Sequence, residues 1–133
     1  MQQSFPVSNA GLALATEFLR TALQAAGTGS DTERRLSIIL DEICANMMRH
    51  DPSLTSEAQF SLSLSFGQQD VCMILSDPGR PFNPLTQRHK TKPKIGGHGI
   101  ALVKGLASSI EYTRAEGRNR LTAIIRADDR REV

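Results

Sequence analysis

From Phe60 to Phe66 the chain reads FSLSLSF, with Phe60, Leu62, Leu64 and Phe66 on one side and serines between them. A period of two is the pattern of a strand with one buried and one wet face. GQQD follows as a turn, and VCMIL (71–75) reads as the returning strand of a hairpin. Upstream the period changes. Leu36, Ile39, Leu40, Ile43 and Met47 recur at the three-and-four spacing of one helical stripe. This helix starts near Asp31 or Thr32 and stops at RHDP, because the residue before Pro52 is pushed out of helical backbone. Leu12, Ala15, Leu19, Ala22, Leu23 and Ala26 mark an earlier helix, capped by Ser8 or Asn9, ended by Gly27 and followed by a GTGSD loop. QSFPVS before it alternates weakly, and Pro6 restricts it to an edge strand.

Past Leu75 the pattern loosens. SDPGRPF is turn-like, and a polar, basic stretch without period runs to Lys94. A helix is expected from about Gly99 to Ser109. IEYTRA and LTAIIRA, joined by EGRNR, form a closing hairpin, and DDRREV is expected to fray. The order is strand, helix, helix, strand, strand, helix, strand, strand. Hairpins give a mixed, mostly antiparallel sheet, and the three helices cover one face of it, so the fold class is an α/β (α+β) two-layer sandwich.

Composition narrows this picture modestly. The 133 residues suit a single domain, with 39% hydrophobic and 23% charged residues as in ordinary globular chains. No apolar run reaches the roughly 18 residues of a membrane span, and MQQSFPVSNAG has no secretion-signal pattern. A net charge of +2 is too small to argue for nucleic acid. Cys44 and Cys72 make no CxxC pair, and His50, His89 and His98 are scattered, which argues against zinc. The expectation is a cytoplasmic protein that contacts neither membrane nor nucleic acid directly.

Three polar clusters carry the candidate chemistry. KIGGHGIALVKGL places Gly96, Gly97 and Gly99 ahead of a helix, where free amides and the helix dipole favour an anion. Glycine-rich turns before helices also occur without ligands. A Walker loop fails here, because Ile100 and Ala101 follow GHG and Lys104 precedes Gly105. A dinucleotide fingerprint is poor, because the loop does not follow the first strand of a parallel unit. LDEICANMMRH sets Glu42 and Asn46 one turn apart with His50 a turn further. Asn46 offers a neutral oxygen suited to magnesium, and Glu42 could accept a proton nearby; the plainer reading is two solvated residues at a helix edge. In SDPGRPF, Asp77 at a strand end can accept from an exocyclic amine and Gly79 leaves room for a flat ring, although Asp-Pro-Gly is equally strong turn chemistry.

Taken together and in this order, the clusters resemble the ATP-binding domain of the GHKL superfamily (the Bergerat fold). The nearest resemblance is to the stand-alone anti-sigma-factor serine kinases of bacterial partner switching. DEICANMMRH is similar to that family's N box, DPGRPFNP to its first glycine box, and GGHGIALVKGLASSIEY to its second with the helix and strand behind it. EGRNRLTAII is similar to the terminal hairpin, so the resemblance runs to about Arg126. It implies Glu42 as general base, Asn46 as magnesium ligand, and Asp77 as acceptor of the adenine amino group with Gly79 against the ring. Gly97 and Gly99, with the amides of His98 and Ile100, would line the phosphates beside Gly96. His50, Phe82 and Asn119 would lie near the nucleotide, and residues 83–95, with Arg88, Lys90, Lys92 and Lys94, would form a lid over the triphosphate. The chain departs from the pattern at Pro81, at Ala101 and at Ser108, where glycine, glycine and an acidic residue are usual.

The function so implied is a serine/threonine protein kinase that binds Mg-ATP, acts as an anti-sigma factor and phosphorylates an anti-sigma-factor antagonist. A sigma factor or similar regulator would be its other partner, and a homodimer is possible. The alternative is an ATP-binding module that sequesters a partner without phosphorylating it. A histidine-kinase fragment is disfavoured, since the short N-terminus leaves no room for a dimerising phosphoacceptor helix.

Overall fold

The structure is a computed structural model, and it describes residues 1–51, 53–86 and 99–127. Strand β1 (Gln2–Pro6) leads into α1 (Asn9–Ala26) and α2 (Ser30–His50). The hairpin β2 (Gln59–Phe66) and β3 (Asp70–Asp77) follows, then a 3-10 turn at Pro84–Thr86, helix α3 (Gly99–Leu106), and the hairpin β4 (Ser109–Ala115) and β5 (Arg118–Arg126). The strands form one five-stranded sheet in the order β1-β2-β3-β5-β4. Every described neighbour pair is antiparallel, so the parallel component allowed by "mixed" does not occur among the described residues.

The alternation in FSLSLSF sets the inner face of the sheet. Phe60, Leu62 and Leu64 are buried with Val71, Met73 and Leu75 of β3 and Leu121, Ala123 and Ile125 of β5. Against them lie Leu19 and Leu23 of α1, Leu36, Ile39, Leu40 and Ile43 of α2, and Val103 of α3. Each such side chain stabilises the fold by about 1.5–3 kcal/mol relative to exposure. Phe66 departs from the expected burial: at the strand end it is 39% exposed, on a hollow it shares with Ala26 at the end of α1 and Thr32 at the start of α2. Cys44 is buried, whereas Cys72 is only half-buried, since its register with Ser65 and Ile124 puts it on the outer face.

Local chemistry fixes the helix ends. Ser8 Oγ accepts from the Gly11 amide at 3.0 Å and so caps α1, and Gly27 closes it with φ of 68°. Helix α2 begins at Ser30, slightly before the expected start, with Asp31 and Glu33 in its first turn favouring the positive end of the dipole. Helix α3 ends at Leu106 and not at Ser109. The Ser108 amide donates to the Ile124 carbonyl at 2.8 Å, which draws the chain onto the sheet and makes Ser109 the first residue of β4.

Helix α3 is held to α2 by an unusual residue. Arg35 is 1% exposed, and its guanidinium donates to the Leu106 carbonyl at 3.2 Å. Its Nε lies 2.9 Å from an Asp31 carboxylate oxygen, at an angle too bent for a hydrogen bond. A buried cation thus sits at the negative end of α3, where unpaired carbonyls and the dipole favour it.

Candidate functional site

The C-terminal half of α2 brings Asn46 to the inner side of the sheet. It follows the apolar stripe of Ile43 and Met47 and is 7% exposed. Its Oδ1 accepts from Arg49 at 3.5 Å, and its Nδ2 makes no hydrogen bond to any described residue. Glu42, one turn earlier, is half-buried and makes no hydrogen bond among the described residues. Cys44, between them, has its thiol pushed up to about 12, chiefly by burial and then by the charges of Asp41 and Asp77; it stays protonated and unreactive.

At the end of β3 the chain turns sharply, and side chains from three other elements hold the turn. Asp77 stands opposite Asn119 of β5 in the sheet register. Asp77 Oδ1 accepts from the Gly79 amide at 2.9 Å and from Asn119 Nδ2 at 3.1 Å. Its Oδ2 accepts nothing from any described residue. Asn119 Nδ2 also donates to the Arg80 carbonyl at 2.9 Å, and its Oδ1 accepts from the Phe82 amide, the Tyr112 hydroxyl and Arg114. Arg114 donates as well to the Gly79 carbonyl at 2.6 Å. Asp51, buried just past α2, accepts the Arg80 amide at 3.0 Å on Oδ2 and the amide and hydroxyl of Ser53 on Oδ1. These bonds, led by those from Ser53 and Arg80, hold its carboxyl below the ordinary 3.8.

Gly79 sits where only a glycine fits. A Cβ there would meet Asp51 Oδ2 at 2.7 Å and Asp77 Oδ1 at 2.8 Å, and Leu54 beyond. Carboxylate oxygens of the protein itself thus fill the place a side chain would take. Beyond the turn, Phe82 stacks on His50 with ring centroids 4.7 Å apart and planes 26° from parallel. Burial first, and Arg49 next, hold the His50 imidazole below the ordinary 6.5, so it is neutral at pH 7.

Asn46, Asp77, Phe82 and Asn119 line one cleft, floored by Leu75 and Leu121 and walled by Ile43, Met47, Pro84 and Tyr112. The cleft is narrow, with about 30 Å³ wide enough for water. Of two larger hollows, about 260 Å³ by the β2–β3 turn and about 460 Å³ along α1 and α2, the first touches none of the three polar clusters and the second touches them only at Asp41. Size alone therefore does not mark the site; the convergent polar groups do.

Of the residues singled out from sequence, Glu42 and Gly79 lie beside the cleft residues in the chain but do not line it, and His50 enters through its stack on Phe82. Gly99 opens α3, and Ile100 is half-buried against the core. Gly96, Gly97 and His98, with Arg88, Lys90, Lys92 and Lys94, lie outside the described residues. The start of the expected lid is built into the body: Pro84 is buried, and Leu85 packs on the core in the 3-10 turn. Sequence reasoning missed Asp51, Tyr112 and Arg114. Asp51 had been read only as a helix stop before Pro52, and the chain's single tyrosine gave no periodic signal of its own.

The donor set fits a nucleotide. An unclaimed carboxylate oxygen at the end of β3 suits an amino group, apolar walls suit a base, and the buried Asn46 amide faces the same space. Among the described residues, no helix is long and apolar enough to cross a membrane. No curated protein sequence matches the chain. Among solved structures, the crystal structure of the RsbU and RsbW domains of Rv1364c from Mycobacterium tuberculosis is similar in fold, with a TM-score of 0.66 and 15% identity. The similarity covers 95% of this chain and 31% of that one, so this chain spans under a third of its neighbour's length. Residues 5–125 match the family model of the histidine kinase-like ATPase domain. That span runs from the end of β1 into the last residues of β5 and contains every residue of the cleft, and the chain belongs to the histidine kinase-like ATPase domain family.

Proposed function

We propose that this domain binds Mg-ATP in the cleft and transfers the γ-phosphoryl group to a serine or threonine of an antagonist protein in a partner-switching circuit. The observation that carries the reading is the cleft itself, where Asn46, Asp77, Phe82 and Asn119 arrive from separate parts of the chain and Asp77 keeps one oxygen that no described residue uses. Asp77 would accept the adenine amino group, and Phe82 would cover the ring. Asn46 would hold the magnesium ion, an oxygen-seeking cation that keeps several waters. The bound Mg-ATP supplies the reactive phosphoryl group, and the protein's share is mainly positioning and charge neutralisation. The glycine segment before α3 would meet the phosphates, and Glu42 would take the proton from the attacking hydroxyl. The neighbour's RsbW domain supports the same assignment through fold alone.

One observation favours a second reading, that of an ATP-binding module that sequesters its partner without phosphorylating it. Glu42 is half-buried, outside the cleft lining, and no described residue orients it. Phosphoryl transfer from γ-labelled ATP to an antagonist encoded beside this protein separates the two. The kinase reading expects label on the antagonist, and expects Glu42→Ala to bind ATP normally while transfer falls about a hundredfold or more, the usual worth of a positioned base. Bound ATP with no label transferred by the unaltered protein would leave the sequestering module.

A further inference from the structure

We infer that Asn119 is a positioning residue and not a nucleotide contact: with Asp51 it clamps the turn after β3, so that Asp77 presents one aimed oxygen to an exocyclic amine. The inference rests on the proposed ATP site and assigns within it the source of base selectivity.

The geometry is specific. An amide side chain has two N–H donors and one oxygen with two lone pairs. Asn119 uses both donors on Asp77 Oδ1 and the Arg80 carbonyl, and its oxygen receives Phe82, Tyr112 and Arg114. Nothing is left over for a ligand. The identity of its oxygen and nitrogen is fixed, because the Phe82 amide and the Arg114 guanidinium can only donate. From the opposite side Asp51 takes the Arg80 amide. Arg80 is thus gripped at its N–H by one clamp residue and at its carbonyl by the other. Asp77 can rotate only by giving up both bonds to Oδ1, so Oδ2 stays the oxygen that no described residue uses. An ionised carboxylate accepts hydrogen bonds and offers none, so it favours an amino group and repels a carbonyl at the same place on a purine.

The test compares ATP with purine riboside triphosphate, which carries hydrogen in place of the exocyclic amine, by calorimetry in magnesium. The intact protein should prefer ATP by about tenfold or more, the worth of one hydrogen bond to a charged group. Asn119→Ala should erase that preference by weakening ATP alone, leaving the analogue's affinity within about twofold, less than a single neutral hydrogen bond. Where Asn119→Ala fails to fold by circular dichroism, Asn119→Asp replaces it. That variant keeps an accepting oxygen for Phe82, Tyr112 and Arg114, and turns the donors to Asp77 and Arg80 into a charged acceptor that repels both. A parallel loss of both nucleotides would indicate general loosening and overturn the clamp. An unchanged preference in both variants would overturn it too, with the ATP site intact. An unaltered protein that binds both nucleotides equally, or neither, would overturn the assignment of Asp77 and the clamp with it.

Discussion

At the scale of single residues, most of the chemistry is decided by short polar side chains whose partners lie far away in sequence. Asp51 shows this well. It lies next to Pro52 and ends a helix, but its carboxylate also organises a turn that begins more than twenty residues later, through Arg80. Its carboxyl is held below 3.8 in the folded protein by Ser53 and Arg80. For an acid with a depressed folded value, the contribution to stability is fully present above the unfolded value and fades as pH falls through the folded one. Urea midpoints measured downward from about pH 5 should therefore fall less steeply for Asp51→Asn than for the intact protein, and the variant should already be less stable at neutrality. Equal slopes would mean that Asp51 titrates in the fold as it does in the unfolded chain. Gly79 belongs to the same scale: the glycine needs no unusual backbone angle, yet oxygens of Asp51 and Asp77 close the space any side chain would use.

At the scale of elements, the link between α2 and α3 is the most exposed to challenge. Arg35 is 1% exposed, lies against the Asp31 carboxylate and reaches the last carbonyl of α3. Removing it leaves a cavity and an unpaired carbonyl, so Arg35→Ala should cost about 3 kcal/mol in denaturant unfolding. The amides of Val103 and Ala107, whose helical end Arg35 secures, should exchange faster with solvent. Unchanged exchange there would show that α3 is held by packing alone. The elements themselves were largely legible in the sequence. The alternation around Leu62 and the stripe from Leu36 to Met47 each state a period that only one secondary structure satisfies. Their ends were less legible, because ends depend on tertiary partners. Phe66 continues the alternation but lines an open hollow at the helix ends, and Ser108 leaves the helix because Ile124 offers its amide a better acceptor. In the site, Asn46 and Asp77 could be read from their place beside apolar runs. The part played by Asn119 could not, since it exists only once β5 is registered against β3.

At the scale of the molecule, the antiparallel sheet explains why dispersed motifs can form one site. Pairing β3 with β5 sets Asp77 opposite Asn119, and α2 crossing the inner face brings Asn46 over the same rows. The family match over residues 5–125, and the likeness in fold to part of the Rv1364c structure, concern the fold that carries this arrangement. The central claim is that these stretches make a single ATP cleft, and amide chemical shifts read it most directly. Titrating Mg-ATP into isotope-labelled protein should shift a connected set of signals: the end of α2 from Ile43 to Asn46, the turn from Asp77 to Phe82, the start of α3, and Asn119 with its neighbours. Shifts confined to the hollow by the β2–β3 turn, or no shifts at saturating nucleotide, would contradict it.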